Sequence, residues 1–299
     1  MRVVSAVISD LHLGTRTGAD LLRRPEPRAR LLEALADADH VVLLGDSVEL
    51  RDDPLGVSLE RALPFFEALG DAVGAGRVTI VPGNHDHRLI APRLKRRREL
   101  GLEQRYDVAP GDPLDAVIRS MGRARVELMY PGVWLRPDVY ATHGHYLDCH
   151  SDVRTFECRA AALTQRLPGA PRDGYRSPVD YEAVLAPIYR LIHWSVQVPG
   201  VRGAAHAAKR LVRRWERPRT DRTARVAPGV AAMSQVVQNL GVDAQHVLFG
   251  HLHRPGRWDA GGGAELVNAG AWVTDASAIS PGTCVVVRDQ GPPELKTVL

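Results

Sequence analysis

Five short apolar runs, each followed by a turn bearing His, Asp or Asn, constrain the fold of this 299-residue chain more than any other feature. Runs of this length and composition predict buried strands. The runs span residues 3–8, 40–44, 78–81, 139–142 and 246–249, and the turns are Asp10-Leu11-His12, Gly45-Asp46, Gly83-Asn84-His85-Asp86, His143-Gly144-His145 and Gly250-His251-Leu252-His253. In an open α/β sheet, ligands gather outside the carboxyl ends of the strands, so the five turns are predicted to share one crevice.

The spacing between the turns predicts an α/β fold. Asp10 and Asp46 are 36 positions apart, and Asp46 and Asn84 are 38 apart, so each interval has room for one strand–helix unit. Apolar residues at three- and four-residue steps predict helices over 59–73 and 230–240, with Pro64 expected to start a new segment in the first. We expect three further strands to close a second sheet, at residues 257–258, 265–267 and 283–287.

The residue types in these turns indicate a site for divalent cations. The amide oxygen of Asn84 is a neutral, hard ligand, which completes a metal shell without adding charge and leaves His85 free for proton chemistry. Imidazole and carboxylate ligands without thiolate suit Mn, Fe or Zn. Satisfied core histidines are the alternative explanation for any one turn, but five turns in this order are not expected by chance.

The turns together resemble the signature of the calcineurin-like metallophosphoesterase superfamily: D-x-H, G-D, G-N-H-D/E, H and G-H-x-H. The resemblance covers residues 1–149 and 226–299. It implies an α/β fold, a four-layer α-β-β-α sandwich with a two-metal centre. The first metal would be held by Asp10, His12, Asp46 and His253, and the second by Asp46, Asn84, His143 and His251.

The same resemblance implies roles for the remaining polar residues. A hydroxide between two divalent ions, Mn²⁺ foremost with Fe or Zn as alternatives, would attack phosphorus. Asp46 would bridge the ions, and His85, the motif imidazole that the family leaves uncoordinated, would protonate the leaving group. Glu49 falls where the family often has a carboxylate that orients this histidine, and Asp86 is a second candidate for that role.

A basic segment separates the fourth turn from the fifth. Residues 151–226 hold fifteen Arg and Lys against seven Asp and Glu, a net charge of +8 in a chain of +4. Three apolar stripes predict helices here: Phe156, Ala160, Leu163 and Leu167; Tyr181, Val184, Leu185, Ile188, Leu191 and Ile192; and Ala204, Ala208, Leu211 and Trp215, beside Lys209, Arg210, Arg213 and Arg214. We therefore expect a catalytic domain of residues 1–150 and 226–299 and a helical cap of residues 151–225.

The predicted cap resembles the one inserted at the same point in the bacterial UDP-2,3-diacylglucosamine pyrophosphohydrolases, which receives acyl chains. Two departures separate the chain from that family, which typically has Arg in place of His85 and Asp in place of His145. The cap is either a closed helical subdomain or a lid whose apolar faces line a groove to the metals. In the second case its basic helix would rest on an anionic membrane surface.

The distribution of apolar residues and cysteines predicts where in the cell the protein is found. No leader pattern precedes the first strand and no apolar run approaches the about 18 residues of a membrane span, which predicts a cytoplasmic protein, peripheral to the membrane under the lid hypothesis. Cys149, Cys158 and Cys284 lack the spacing of a zinc site or disulfide framework, in agreement with a reducing compartment.

The predicted activity is hydrolysis of a phosphodiester or pyrophosphate bond in a lipid- or nucleotide-linked substrate, with a phosphorylated small molecule or lipid as the expected partner. A phosphomonoesterase, including a protein phosphatase, is the alternative, although Glu49-Leu50-Arg51 stands in place of the Asp-Arg-Gly of protein phosphatases. A scaffold without activity is disfavoured by the full ligand set, since buried His and Asp are costly to hold together without metal. Nucleic acid is not an expected partner because no basic groove interleaved with aromatic residues is evident.

Overall fold

The computed structural model describes residues 3–95, 99–151, 156–216, 226–274, 278 and 280–299, without the side chains of 3–4, 209–210 and 212–216. Its strands are β1 Val3–Ile8, β2 His40–Leu44, β3 Arg77–Val81, β4 Glu103–Tyr106, β5 Arg125–Arg136, β6 Val139–Thr142, β7 His246–Phe249, β8 Gly256–Gly261, β9 Ala264–Asn268, β10 Thr283–Arg288 and β11 Glu294–Thr297. Its α-helices are α1 Pro25–Leu35, α2 Leu55–Val73, α3 Ala91–Leu94, α4 Pro113–Ser120, α5 Phe156–Thr164, α6 Pro178–Gln197, α7 Pro199–Glu216 and α8 Val226–Asn239. The five predicted motif strands are thus confirmed.

The strands form one hydrogen-bonded path that folds back on itself. Its order is β11-β10-β1-β2-β3-β5-β6-β7-β9-β8, with β4 beside β5. The first part of the long strand β5 pairs with β3 and its last part pairs with β6. Valines of both halves, including Val42 of β2 and Val267 of β9, meet in one buried cluster, so the halves face each other as two layers. This is the predicted sandwich.

Helices cover both outer faces. One buried cluster joins α1, α2 and α4 to β1, β2 and β3, and another joins α6 and α8 to β6, β7 and β9. The motif strands β1, β2 and β3 are parallel, as are β6 and β7. Their carboxyl ends therefore bring the five polar turns to one rim of the two layers.

Two sequence predictions about these elements are wrong. Pro64 does not start a new segment, because α2 runs through it without interruption. Both Pro64 and Glu60, whose carbonyl loses its helical donor, are exposed to water, while Phe65 and Phe66 are buried on the opposite side. The strand at 283–287 does not close the second half of the sheet; it pairs with β1 in the first half. Its alternating Cys284/Val286 and Val285/Val287 faces are both buried, which suits a position inside the sheet.

The helices of the basic segment pack against the body through α6. Tyr181, Val184, Leu185 and Ile188 are buried in the same cluster as the α8 side chains, while Leu191 is exposed. The buried part of this stripe is therefore core and not the lining of a groove. Among the described residues, no helix is both long enough and apolar enough to cross a bilayer.

Candidate metal centre

The first group of converging ligands comes from the ends of β1, β2 and β7. Ligand atoms of Asp10, His12, Asp46 and His253 all lie within 4.8 Å of one another. His253 Nε2 is 3.1 Å from Asp10 Oδ1, and His12 Nε2 is 3.7 Å from Asp46 Oδ2. The residues that the family signature assigned to the first metal are thus brought together.

The second group shares Asp46 with the first. Asp46, His143 and His251 also have ligand atoms within 4.8 Å of one another. His143 Nε2 is 3.4 Å from Asp46 Oδ2 and 3.1 Å from Asn84 Oδ1, so the amide oxygen reaches the same space. This set matches the ligands assigned to the second metal, with one carboxylate common to both groups.

The backbone at the ligands is held in an unusual conformation. Asp10, His12, Asp46, His251 and His253 all have positive φ, between 45° and 64°. Among the described residues other than glycine, only Ser280 shares this left-handed region. L residues enter it at a cost, and such strain is concentrated at functional sites. Five ligands in this conformation indicate that the surrounding fold fixes the direction of each side chain.

Two glycines allow the turns to approach one another. Gly45 has φ of 82°, and a Cβ there would overlap the ring of His143. Gly83 has no positive φ, so its backbone conformation does not require glycine. Its importance is close approach, because a Cβ at Gly83 would overlap the Asp46 carboxylate and the His143 ring.

Comparison with known proteins agrees with this geometry. A model of the calcineurin-like phosphoesterase family matches residues 4–255. The chain belongs to this family. No curated protein matches it.

Solved structures related to the chain are remote in sequence. A dimetal phosphatase from Danio rerio is 15% identical, with 100% of each chain covered and a TM-score of 0.43. A predicted phosphoesterase from Streptococcus pneumoniae is 13% identical over 99% of this chain and 90% of that chain, with a TM-score of 0.34. The nuclease MPE of Pseudomonas putida is 12% identical over 94% of this chain and 84% of that chain, with a TM-score of 0.36.

The two metals that the family implies fit the residues present. The donors are imidazole nitrogens, carboxylate oxygens and one amide oxygen, a set suited to borderline divalent ions. Burial alone would raise the pKa of Asp46, but the imidazoles of His143 and His85 outweigh burial and hold it well below its ordinary value. Burial alone would lower the pKa of His143, but the Asp46 and Asp10 carboxylates raise it to about 10. The carboxylates therefore favour positive charge at the place where the cations would sit.

His85 and Glu49 lie beside the first group. The Nδ1 atom of His85 is 2.7 Å from Glu49 Oε2, and the same oxygen is 3.2 Å from Nδ1 of His12. The His85 backbone N–H donates to Asp46 Oδ1 at 2.7 Å, while its ring Nε2 is 3.9 Å from Asp46 Oδ2. The His85 side chain is 19% exposed, against 0% for His143. An incoming substrate can thus reach His85, which belongs to neither of the two ligand groups that share Asp46.

Asp86 lies elsewhere than the sequence analysis anticipated. Its carboxylate is buried and accepts the backbone N–H groups of Gly83 at 2.6 Å, Ser47 at 2.8 Å and Val48 at 3.4 Å. Burial and the nearby Asp46 charge raise the pKa of Asp86 to about 6. The residue ties the turn after β3 to the turn after β2 and does not contact His85 through its side chain.

Asp148 is a residue that sequence reasoning missed. Its Oδ1 lies 3.1 Å from Nε2 of His251, and its Oδ2 is buried without a hydrogen-bond partner. A metal-ligating histidine commonly donates its other ring N–H to a carboxylate, which fixes the ring orientation and tautomer. The sequence signal that could have indicated Asp148 is its position five residues after His143.

A buried polar network joins α6 to the metal-bearing body. Glu182 of α6 lies 2.8 Å from Nε2 of His87 and accepts hydrogen bonds from Tyr146, at 3.0 Å, and from Tyr130. His145, one of the two departures from the pyrophosphohydrolase pattern, lies with its Nε2 3.2 Å from the Tyr130 hydroxyl. The histidine at this position thus belongs to the network that holds α6 in place.

Proposed function

We propose that the protein is a two-metal hydrolase of a phosphodiester or pyrophosphate bond whose substrate carries a lipid or nucleotide group. The observation that carries the proposal is the sharing of Asp46 by two ligand groups, with His85 beside them and outside both. When bound, two divalent ions, Mn²⁺ foremost, supply activated water and neutralise charge that develops on the phosphoryl oxygens.

The chain's own residues account for the remaining chemistry. An alkoxide or phosphate leaving group needs a proton as the bond to phosphorus breaks, and His85 Nε2 faces the site from its rim. Burial lowers the pKa of His85 below its ordinary value; the Glu49 carboxylate, which accepts from Nδ1 of His85, opposes this shift and keeps the other ring nitrogen directed at the site. Asp46 belongs to both ligand groups, so its negative charge would offset the repulsion between the two cations.

Two contacts join α6 and α7 to the loops that carry His85 and Asp52. Nε2 of His193, on α6, is 3.2 Å from the backbone oxygen of His85. Nε2 of His206, on α7, is 2.6 Å from the backbone oxygen of Asp52. A substrate that reaches His85 would therefore run beside these helices, whose resemblance to the acyl-binding cap of the pyrophosphohydrolases suggests the lipid class.

The test compares an aryl phosphodiester with the matching aryl phosphomonoester. We expect the diester to be hydrolysed faster, chelation to abolish the activity and Mn²⁺ to restore it. Nucleotide-diphosphate lipids, glycerophosphodiesters and cyclic nucleotides should then be compared to identify the natural group. Full activity in metal-free protein would overturn the proposal, and hydrolysis of the monoester alone would establish the phosphomonoesterase alternative.

A further inference from the structure

Large apolar side chains are exposed mainly on the helices of the basic segment. Eight such side chains are exposed in the part of the chain that the structure describes, and only Val57 and Leu299 lie elsewhere. The other six, between 45% and 64% exposed, are Phe156, Leu163, Leu167, Leu191, Trp194 and Leu211. Of the stripe predicted here, Phe156 and Leu163 on α5 and Leu167 beyond its end thus face water, whereas Ala160 packs against the core.

Positive charge accompanies these apolar side chains. On α5, Arg159 is exposed one turn from Phe156 and from Leu163. On α6, Arg190 is exposed beside Leu191 and one turn before Trp194. Among the exposed residues that the structure describes on α5, α6 and α7, there is no Asp or Glu.

We infer that α5, α6 and α7 dock on an anionic lipid bilayer. Helices that combine Arg with exposed Trp, Phe and Leu bind at the boundary between headgroups and acyl chains, and each basic residue near an anionic surface adds about 1 kcal/mol. A second copy of the chain fits this surface poorly, because the arginines would face arginines. The segment's net charge of +8 favours the same partner.

The inner sides of the same helices border the metal centre. His193 of α6 contacts the backbone of His85, and Arg51 lies over the Tyr189 ring of α6, 5.1 Å from its centroid. Docking would therefore hold the metal centre next to lipid headgroups. Binding to a bilayer does not require catalysis, so it can be measured independently of the proposed reaction.

Vesicle co-sedimentation of the full-length protein, without substrate, tests the inference. The vesicles are pure phosphatidylcholine or an equimolar mixture with phosphatidylglycerol. One variant carries Leu191→Ser and Trp194→Ser, and another carries Arg159→Gln and Arg190→Gln. Leu299→Ser and Arg119→Gln are matched controls, because they remove an exposed apolar and an exposed basic side chain from the body. Circular dichroism establishes that each variant is folded.

We expect the wild type and both controls to bind the mixed vesicles in a salt-sensitive manner and to leave pure phosphatidylcholine unbound. The arginine variant should bind on the order of 30-fold more weakly, from about 1 kcal/mol per basic residue. Three results would overturn the inference: wild-type protein that binds neither vesicle, a Leu191/Trp194 variant that binds like wild type, or a dimer in solution that this variant dissociates. The last result would assign the surface to a second copy.

Discussion

One carboxylate oxygen of Glu49 lies 2.7 Å from Nδ1 of His85. The same oxygen lies 3.2 Å from Nδ1 of His12, a residue of the first ligand group. The other oxygen accepts the backbone N–H of Arg51 at 2.8 Å, so the carboxylate cannot turn freely. A single buried acid thus orients both a ligand and the proposed proton donor, and changes at any of these three positions should be coupled.

Replacement of His85 by alanine should slow catalysis without removing metal. The side chain lies outside the two ligand groups that share Asp46, and a general acid typically contributes about 10²–10⁴-fold. We expect His85→Ala to lower kcat by this factor, with a smaller loss for a leaving group that needs no proton. Metal analysis should find two ions per chain, as in wild type; loss of one ion would make His85 a ligand.

Glu49→Gln should act mainly through His85. The amide cannot favour the protonated imidazole, so kcat should approach that of His85→Ala, and metal affinity at the first group should fall about 10–100-fold through His12. In the double variant the two losses in kcat should not add. The matched control is Glu127→Gln, because Glu127 of β5 pairs with Arg105 of β4. Additive losses would show that Glu49 acts without His85.

The motif strands were accessible from sequence because each is a short apolar run, and each polar turn follows within a few residues of a strand end. The division of the polar residues into two ligand groups came from the resemblance to the family signature, and not from period or spacing. Contacts that cross the chain were not accessible. The pairing of β10 with β1 joins residues more than 270 positions apart, and no local signal specifies it.

The burial of the helical segment also escaped sequence reasoning, for a physical reason. A stripe such as Phe156, Leu163 and Leu167 predicts an apolar face, but the pattern does not say whether that face meets core or solvent. On α6, Glu182 finds partners in His87 and Tyr146, and this buries the neighbouring Tyr181 and Leu185. This network determines which face of α6 is buried, and residue spacing along the sequence does not predict it.

Asp148→Asn should weaken metal binding at the second group and leave the first nearly unchanged. The carboxylate holds Nε2 of His251 at 3.1 Å, and loss of such a partner typically costs about 10–100-fold in metal affinity. Isothermal titration calorimetry with the metal ion should resolve one site of weakened affinity. Activity should recover at high metal concentration. Asp138→Asn serves as a control, since Asp138 pairs with Arg136 just before β6, at the end of that strand opposite to His143. Unchanged affinity at both groups would reduce Asp148 to a packing role.

The last prediction concerns stability and the buried histidine at the start of β2. Nδ1 of His40 is 2.9 Å from a guanidinium nitrogen of Arg77, which can only donate, so this ring nitrogen must accept. The proton of the neutral ring is then on Nε2, 2.8 Å from the Thr79 hydroxyl. Burial, with a further contribution from the Arg77 charge, lowers the pKa of His40 from 6.5 to about 3.

Because the folded pKa lies below the unfolded one, the unfolded chain binds the extra proton between these values, and stability falls as the pH drops below 6.5. The contribution of neutral His40 to the free energy of unfolding should be fully present above that pH. It should be smaller by about 2 kcal/mol at about pH 5 and should be lost completely near the folded pKa. Urea unfolding of the wild type and of His40→Gln at about pH 7.5 and about pH 5 measures it. We expect the wild type to lose about 2 kcal/mol more than the variant over this interval, since Gln does not titrate. Equal losses in the two proteins would mean that His40 is protonated in the folded state or that its burial does not affect its pKa.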